Sequence, residues 1–401
     1  MSDIQLERKV VWLAALIQLA NVLDFMIILP LGPDLTTSIG IPSSRMGLLG
    51  GIYTFAAAIS AIVMAPYLDR FDRKRAVLFF LAGLAVSTYL CSFAYDTYSM
   101  LAARTLAGIF GGPVTALSLS MVVDVVPISR RARSIAIVSS AFTVSSVFGI
   151  PFALKLAGLM DWTMPFIVIG IFSGIVCIAI YFLLPSMTGH IDENTDKTKK
   201  VPILPMVKKP IIRTSYIMAS LQSFAQFMLF AGSINYFIFN LGFDREGLDE
   251  IYFVGGSLSF IAMMLTGRIV DKYGSRLLSF IITVFYVCVL ADGYLHQPFM
   301  SVPFIFCSFM LCAAMIGVVT SSIASEAPDE QERAAYMSVQ STCRHLAAGA
   351  GGIVATAILS TNPDGSLNNI HILAYLTILC IASLPVLIFM LRNMLDRKSL
   401  A

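Results

Sequence analysis

Charged residues are scarce in this 401-residue chain. Asp, Glu, Lys and Arg together make up 13% of it, whereas hydrophobic residues make up 57%. Soluble globular domains carry about 25% charged residues, so this chain has too little charge to cover a water-soluble surface. The net charge of +3 is small and scattered, which argues against a nucleic-acid partner. The composition indicates a protein embedded in a lipid bilayer.

The sequence also lacks the motifs of enzymes and metal proteins. All seven cysteines fall in apolar runs and none forms a Cys-x-x-Cys pair, so they are interpreted as small buried residues. Glycine-rich nucleotide loops, a nucleophile elbow and His/Cys/Glu clusters with metal spacing are missing. We therefore expect no cofactor and no enzyme activity. The polar start and the long first apolar run argue against a cleavable signal peptide.

Apolar runs long enough to cross a bilayer recur along the whole chain. The predicted spans are roughly 10–31, 46–67, 76–95, 100–122, 134–156, 164–185, 213–240, 251–270, 277–296, 302–323, 335–360 and 371–391. Because their number is even, both termini are expected on the same side of the membrane.

The basic residues predict which side that is. Of 27 lysines and arginines, 22 lie at the termini or in alternate gaps on the same side, and only Arg45, Lys155 and Arg245 lie in the opposite gaps. Because positive charge favours the cytoplasm, both termini are predicted to be cytoplasmic, with a bacterial inner membrane as the expected location. The longest polar gap, 187–212, is predicted to be a linker between a bundle at 1–186 and another at 213–401, in a monomeric protein.

Two short charged loops carry the clearest pattern. Asp69 lies in the loop Ala65–Arg75, and 202 residues later Asp271 lies in the similar loop Gly267–Arg276. The same offset relates Asp124 to Glu326, Arg131 to Arg333, Gly149 to Gly351 and Asp24 to Gln226. A constant offset without gaps indicates duplicated halves, an architecture in which a substrate site lies where the halves meet.

These two loops, together with Arg104-Thr-Leu-Ala-Gly108, resemble the signatures of the major facilitator superfamily. The run Leu23–Pro33 is similar to the first span of its twelve-span branch of drug:proton antiporters and arabinose-efflux-like permeases. The resemblance implies an all-α membrane protein of twelve transmembrane helices in two pseudo-symmetric six-helix bundles. It also implies a small-molecule substrate and protons as ligands.

The sequence departs from the family pattern at three places. The first loop has Ala65 and Asp72 where the family motif has glycine, whereas the second loop keeps Gly267 and Gly274. The antiporter signature of the fifth span is reduced to Gly149-Ile-Pro151, which weakens the case for antiport.

Charged groups inside predicted spans are the first candidates for function, because they are costly in lipid. Asp24 is expected in mid-span, where removal from water disfavours its charged form and suits it to carry a proton. The resemblance implies that Arg104, near the outer end of span four, responds to that proton or contacts the substrate. His345 is a further proton-coupling candidate because histidine titrates near neutral pH. The alternatives are a static ion pair between Asp24 and Arg104, and an Arg104 that reaches the interface.

Polar side chains in the spans are candidates for substrate binding. Arg344 could bind an anionic group, and neutral groups could hydrogen-bond a ligand or hold helices together. The predicted substrate-binding residues are Gln18, Asn21, Tyr53, Gln222, Gln226, Asn235, Tyr236 and Arg344. Glycines at 108, 111 and 112 would let another helix pass close to span four.

The charged loops are predicted to act as a cytoplasmic gate. Asp124 is the expected partner of Arg73, and Glu326 is the expected partner of Arg276. Such pairs would hold one side closed and break when the protein switches state. The predicted gating residues are Asp69, Arg70, Arg73, Asp124, Asp271, Arg276 and Glu326. The alternative is that the bases only fix topology.

Three functions remain open from the sequence. The first is efflux of a small amphipathic or polar compound in exchange for protons. The second is proton-coupled uptake of an anionic metabolite, which Arg344 favours. The third is a non-transporting membrane receptor or assembly partner, which the charges inside the spans argue against.

Overall fold

The computed structural model describes residues 3–68, 70–188, 203–329 and 332–400. Two compact units emerge from the contacts within the chain. One comprises Met1–Ile41 with Ile52–Thr198, and the other comprises Pro42–Gly51 with Lys199–Ala401. The short segment Pro42–Gly51, which leads into the second span, therefore groups with the second unit. Most of the expected linker, 189–202, lies outside the described residues.

The first unit is built from helices. They are α1 (Asp3–Ile27), α2 (Gly32–Ile39), α3 (Met46–Leu68, of which the first residues belong to the second unit), α4 (Arg73–Cys91), α5 (Thr97–Val125), α6 (Ile128–Ser139), α7 (Ala141–Val144), the π-helical segment Ser145–Gly149, α8 (Ile150–Leu159) and α9 (Met164–Leu183).

The core of the first unit lies where α1, α4, α5 and α9 pack together. Val77, Leu81 and Leu84 recur at helical spacing on one face of α4 and are fully buried. They belong to the same apolar cluster as Leu117 and Met121 of α5. On α9, by contrast, one apolar face is exposed, with large apolar residues at 171, 175, 178 and 182. Such a stripe is suited to lipid rather than water.

Glycines set the distance between α5 and α3, as the sequence predicts. A Cβ atom at Gly108 would lie 2.4 Å from the carbonyl oxygen of Tyr53, and one at Gly112 would lie 2.2 Å from that of Ala57. Real Cβ atoms do not approach that closely, so the two backbones can meet here only because α5 has no side chains at these positions.

The second unit repeats the helical architecture. Its elements are the 3₁₀ turn Ser43–Arg45, α10 (Ile203–Lys208), α11 (Pro210–Asn235), the π-helical segment Tyr236–Asn240, the 3₁₀ turn Arg245–Gly247, α12 (Leu248–Tyr273), α13 (Ser275–Leu295), α14 (Val302–Ser325), α15 (Arg333–Ile358), β1 (Ser360–Thr361), β2 (Leu367–Asn368) and α16 (Ile370–Leu400).

Within this unit α11 packs on α15 and α16, and α12 and α13 pack on α14. The two strands form a short antiparallel hairpin in which Ser360 pairs with Asn368. The hairpin is tied to the 3₁₀ turn, because the Ser43 hydroxyl donates to the carbonyl oxygen of Gly365 at 2.8 Å. Gly365 has φ +85°, a left-handed conformation that favours glycine.

Eleven helical stretches within the described residues are long and apolar enough to cross a membrane. The one remaining predicted span, 335–360, which is the eleventh along the chain, corresponds to α15, a helix of 26 residues. This helix is less apolar than the others because it carries Arg344, His345 and several hydroxyl and amide side chains. The predicted fold class is confirmed: the described residues form an all-α membrane protein with twelve long helical stretches, six for each half, of which the fifth is interrupted by the π-helical segment Ser145–Gly149.

Candidate functional site

An ion pair buried in the first unit is the centre of the candidate site. Asp24 of α1 and Arg104 of α5 are both completely buried. The Arg104 Nη1 donates to Asp24 Oδ1 at 3.1 Å and to the main-chain oxygen of Asp24 at 3.0 Å. The guanidinium also lies over the ring of Tyr53, 4.5 Å from its centroid. The sequence thus identified two charges that the fold brings together.

The structure shows where the pair lies along the two helices. Asp24 lies within the last turn of α1, which ends at Ile27, whereas its mid-span depth in the membrane stays a prediction. The predicted run of apolar residues continued to position 31, although residues 28–31 form a turn rather than helix. Arg104 lies in the second turn of α5, which begins at Thr97, close to the predicted place.

A residue that the sequence did not single out completes this centre. The hydroxyl of Thr88, in the last turn of α4, donates to Asp24 Oδ1 at 2.7 Å, so this oxygen accepts two hydrogen bonds. The other carboxylate oxygen, together with Nε and Nη2 of Arg104, is buried and has no hydrogen-bond partner among the described residues. Unsatisfied polar atoms are rare in folded proteins and point to a functional site or an unseen partner.

Further polar side chains continue from this centre along α1 and α5. Tyr53 donates from its hydroxyl to Asn21 Oδ1 at 3.1 Å, and Asn21 donates to the Thr115 hydroxyl at 2.9 Å. One turn further, the Ser118 hydroxyl donates to Gln18 Oε1 at 3.3 Å. Three predicted substrate residues are therefore brought together. Thr115 and Ser118 escaped sequence reasoning because serine and threonine are common in membrane helices.

The predicted substrate residues of the second unit form two separate groups. Gln222 accepts a hydrogen bond from Thr320 at 2.5 Å, and Gln226 donates to the carbonyl oxygen of Ala313, so both reach α14. Asn235 lies nine residues beyond Gln226, about 13 Å along the helix.

The second group, Asn235 and Tyr236, makes packing contacts within the second unit. The amide nitrogen of Asn235 donates to Ser43 at 2.8 Å, and both side chains are buried. The ring of Tyr236 stacks on Tyr294 with centroids 5.4 Å apart. These contacts hold the end of α11, and substrate binding by Asn235 and Tyr236 stays a prediction.

Arg344 and His345 differ in their environments on α15. Arg344 is half-buried and its Nε donates to the Ser223 hydroxyl at 3.2 Å. No carboxylate lies within ion-pair distance of Arg344 among the described residues. His345 is exposed, and its Nδ1 lies 2.8 Å from the carbonyl oxygen of Ser341 one turn earlier. Their roles in substrate binding and proton coupling stay predictions.

The first charged loop contains the predicted pair. Arg73 is buried and donates from Nε to Asp124 Oδ2 at 3.1 Å and from Nη1 to the carbonyl oxygen of Leu68 at 3.1 Å. The contact between Arg73 and Asp124 is therefore confirmed, whereas a gating role stays a prediction. Arg70 is exposed in the turn before α4, and Asp69 lies outside the described residues.

The atypical Asp72 of this loop has a clear structural role. Its carboxylate caps α4 by accepting the main-chain N–H of Lys74 at 2.9 Å, and it also accepts the Ser186 hydroxyl at 2.7 Å and the Met187 N–H at 2.9 Å. Burial alone would raise the pKa of Asp72, but these hydrogen bonds together hold the pKa below its ordinary value. The residue thus joins the loop to the segment that follows α9.

The second charged loop does not form the expected pair, and the prediction that Arg276 meets Glu326 is wrong. Arg276 Nη2 donates instead to Asp396 at 2.8 Å and to Asn393 at 2.8 Å. Glu326 pairs with Arg392 at 3.0 Å, and Arg392 also pairs with Asp396. The cause is α16, which continues past the predicted end of the last span and brings its own charges to the loop. The Asp271 side chain lies outside the described part of the structure.

The backbone explains why only the second copy of the loop needs a glycine just before the helix that follows it. Gly274 has φ +81°, a conformation that favours glycine, whereas Asp72 has φ −54°. An aspartate can therefore occupy the first copy without strain.

Comparison with known proteins identifies the family. Residues 14–352 match the Major Facilitator Superfamily. A probable sugar efflux transporter of Helicobacter acinonychis (strain Sheeba) is 24% identical over 240 residues, which is 60% of this chain and 60% of that protein.

Solved structures share the fold. A bacterial homolog of the human lysosomal transporter Spinster, in an inward-facing and occupied conformation, superposes with a TM-score of 0.72 at 14% identity over 97% of both chains. The nucleoside transporter NupG superposes with a TM-score of 0.71 at 12% identity, over 98% of this chain and 99% of NupG. With its helices, its duplicated charged loops and a family match over most of its length, the chain belongs to the Major Facilitator Superfamily of membrane transporters.

Proposed function

We propose that this chain is a proton-coupled secondary transporter that exports a small polar or amphipathic compound in exchange for protons. The observation that supports this most is the fully buried ion pair between Asp24 and Arg104. In this proposal Asp24 carries the proton and Arg104 is its electrostatic partner.

The pair is suited to act as a switch because its energy differs strongly between the state with Asp24 ionised and the state with Asp24 protonated. Breaking a buried ion pair by removing the charge of one partner costs about 3–5 kcal/mol, since the other charge is left uncompensated. Protonation of Asp24 would remove its charge and leave Arg104 to find new partners. A conformational equilibrium can respond to a proton only through such a difference between states.

Comparison of the two halves supports a functional role over a purely structural one. The offset of 202 residues places Gln226, Leu290 and Phe306 where the first half has Asp24, Thr88 and Arg104. The second unit therefore packs its equivalent helices without the charges. A bundle of this kind does not need the ion pair to fold, which favours a role in transport.

The proposed direction and substrate follow from a relative and from the polar side chains of the spans. The relative from Helicobacter acinonychis carries the name of a probable sugar efflux transporter, which favours export of a polar compound. Neutral hydrogen-bonding groups such as Asn21, Gln222 and Gln226 would suit such a substrate. We further propose that the protein is a monomer in a bacterial inner membrane with both termini in the cytoplasm, and that the Arg73–Asp124 pair helps to close the cytoplasmic side.

A second candidate is uptake of an anionic metabolite together with protons. It is favoured by Arg344, a half-buried cation in a long helix with no carboxylate at ion-pair distance among the described residues. Uptake predicts that Arg344→Gln weakens an anionic substrate far more than a neutral one. Equal effects on both would remove this candidate.

One experiment distinguishes these functions. The full-length protein is reconstituted in liposomes, a proton gradient is imposed, and internal pH is followed while sugars, nucleosides and small carboxylates are added in turn. Substrate-dependent proton movement establishes coupling, and its direction decides between export and uptake. No proton movement with any compound that the protein transports would contradict coupling.

The matched variants are Asp24→Asn and Asp292→Asn. Asp292 is also buried, but its carboxylate accepts the main-chain N–H groups of Phe299 and Met300 in a loop. We expect Asp24→Asn to abolish substrate-dependent proton movement and Asp292→Asn to retain it. Normal coupling in Asp24→Asn would refute the assignment of the proton site.

A further inference from the structure

Thr88 differs from Ser87 and Thr105, two nearby hydroxyl residues, in the direction of its hydrogen bond. Ser87, its neighbour in α4, and Thr105 of α5 donate to carbonyl oxygens one turn earlier in their own helices. This is the default for a hydroxyl inside a helix. Thr88 donates instead across the helix interface to the carboxylate of Asp24 at 2.7 Å, and it is completely buried.

While Asp24 is ionised, the hydrogen bond between Thr88 and Asp24 can have only Thr88 as its donor. A carboxylate has no hydrogen to give, so the threonine hydroxyl must be the donor. Hydrogen bonds to an ionised acceptor are stronger than those between neutral groups, and the length of 2.7 Å is that of a well-formed hydroxyl hydrogen bond. Thr88 therefore stabilises the charged state of Asp24 more than the protonated state.

The same contact fixes which oxygen meets Arg104. Oδ1 of Asp24 accepts from both Thr88 and Arg104, while Oδ2 has no hydrogen-bond partner among the described residues. The hydroxyl thus helps to hold the carboxyl in one rotamer. Oδ2 is left as the oxygen at which a proton can add without displacing an existing donor.

Three other groups lie around Asp24. The titratable or charged groups that face it from the described neighbouring helices are Arg104 of α5, Tyr53 of α3 and Cys91 of α4. Tyrosine and cysteine are ordinarily neutral near pH 7, so Arg104 is the one ordinarily charged member. The hydroxyl of Tyr53 donates to Asn21, although it also lies close enough to Asp24 to favour the charged carboxylate.

We propose that Thr88 is a positioning residue that holds the ionised Asp24 on Arg104 and thereby sets the pH at which the site releases its proton. The proposal rests on the proton-carrying role assigned to Asp24 above. It predicts that loss of the hydroxyl shifts proton release to higher pH, because the charged form of Asp24 loses a donor while the protonated form loses a weaker contact.

The test follows the protonation of Asp24 directly and needs no transported compound. Infrared difference spectra of the full-length protein in liposomes are recorded over a range of pH. The carboxyl band that disappears in Asp24→Asn is assigned to Asp24, and the pH at which half of it remains is measured in each variant.

Thr88→Val keeps the branched shape but removes the donor, and we expect the midpoint to rise by about one pH unit. Thr88→Ala removes the same donor with less steric risk and should shift the midpoint in the same direction. Thr88→Ser retains the donor and should restore the wild-type midpoint. Ser87→Ala, which removes a buried hydroxyl bonded only to its own helix, is the matched control and should leave the midpoint unchanged.

The outcomes separate this inference from the proposed function. An unchanged or lowered midpoint in both Thr88→Val and Thr88→Ala, with an Asp24-dependent band present, would overturn the role of Thr88 and leave proton coupling intact. If Asp24→Asn removes no band over the whole pH range and still couples substrate to protons, the proton site itself is wrong and the inference is lost with it.

Discussion

Replacement of Asp72 by alanine should loosen the first charged loop from the segment after α9. The carboxylate accepts hydrogen bonds from the Lys74 N–H, the Ser186 hydroxyl and the Met187 N–H at 2.7–2.9 Å. Loss of a helix N-cap costs about 1 kcal/mol. Each of the two longer-range bonds adds about 0.5 kcal/mol, the low end of the usual range because the side chain is partly exposed. We therefore expect a local loss of about 2 kcal/mol.

Hydrogen exchange of the reconstituted protein measures this loss. A change of about 2 kcal/mol in local opening corresponds to roughly 30-fold faster exchange. The acceleration should appear in peptides that contain Met187, while the hairpin at 360–368 serves as an internal reference and should not change. Asp72→Asn is the matched variant, because asparagine caps a helix as well as aspartate but can accept fewer hydrogen bonds, so its effect should be intermediate.

The pH dependence of this contact has a definite sign. Because the pKa of Asp72 is lowered in the folded protein, the contact contributes fully above the ordinary aspartate pKa and is lost as pH falls through the lower folded value. Protection near Met187 should thus be constant around neutral pH and weaken only in acid. Exchange in Asp72→Ala within twofold of wild type at neutral pH would refute the reasoning.

Two further predictions concern packing and the first loop. Gly111→Ala places a Cβ atom 2.4 Å from the Tyr53 hydroxyl, and overpacking of this kind should destabilise the detergent-purified protein by about 1–3 kcal/mol in thermal unfolding. The control Gly174→Ala, which meets no atom within 4 Å, should be neutral or stabilising, and a similar loss at both sites would contradict the packing argument. A double-mutant cycle on Arg73 and Asp124 should give a coupling energy above about 1 kcal/mol, since Arg73 is buried, and a value near zero would show that the contact carries no energy.

The sequence predicted the parts of the structure that follow from the cost of charge in a membrane. Lipid-facing helices must be long and apolar, so their number and approximate bounds could be found from composition alone. Asp24 and Arg104 were identifiable because an isolated charge inside the bilayer is expensive and two opposite charges tend to meet. The partner of Arg73 followed from its place at the helix end.

Thr88 could not be found in this way. A hydroxyl costs little in a membrane helix because it can donate to its own backbone, and the sequence contains no sign that distinguishes a hydroxyl bonded to its own helix from one that reaches another. The distinction depends on the rotation of α4 against α1, which only tertiary packing decides. Thr115 and Ser118 were missed for the same reason.

The two charged loops show where an internal repeat stops being a guide to structure. The offset of 202 residues places Glu326 in the position of Asp124, and yet Arg276 meets Asp396. The repeat describes the membrane-spanning parts of the two halves. The offset places Arg392 and Asp396 at residues 190 and 194, which lie outside the described residues, and the described end of α9 holds the first loop through main-chain oxygens that accept from Lys74.

The same kind of loop is therefore held by two different means. In the first unit, buried Arg73 and the cap Asp72 fix the loop through a few well-packed contacts. In the second unit, half-exposed charges on the end of α16 form a network that includes Arg276, Arg392 and Asp396. Exposed ion pairs contribute little and are screened by salt, whereas a buried arginine is costly to leave unpaired. If both loops act in switching, the first should resist opening at high ionic strength and the second should respond to salt.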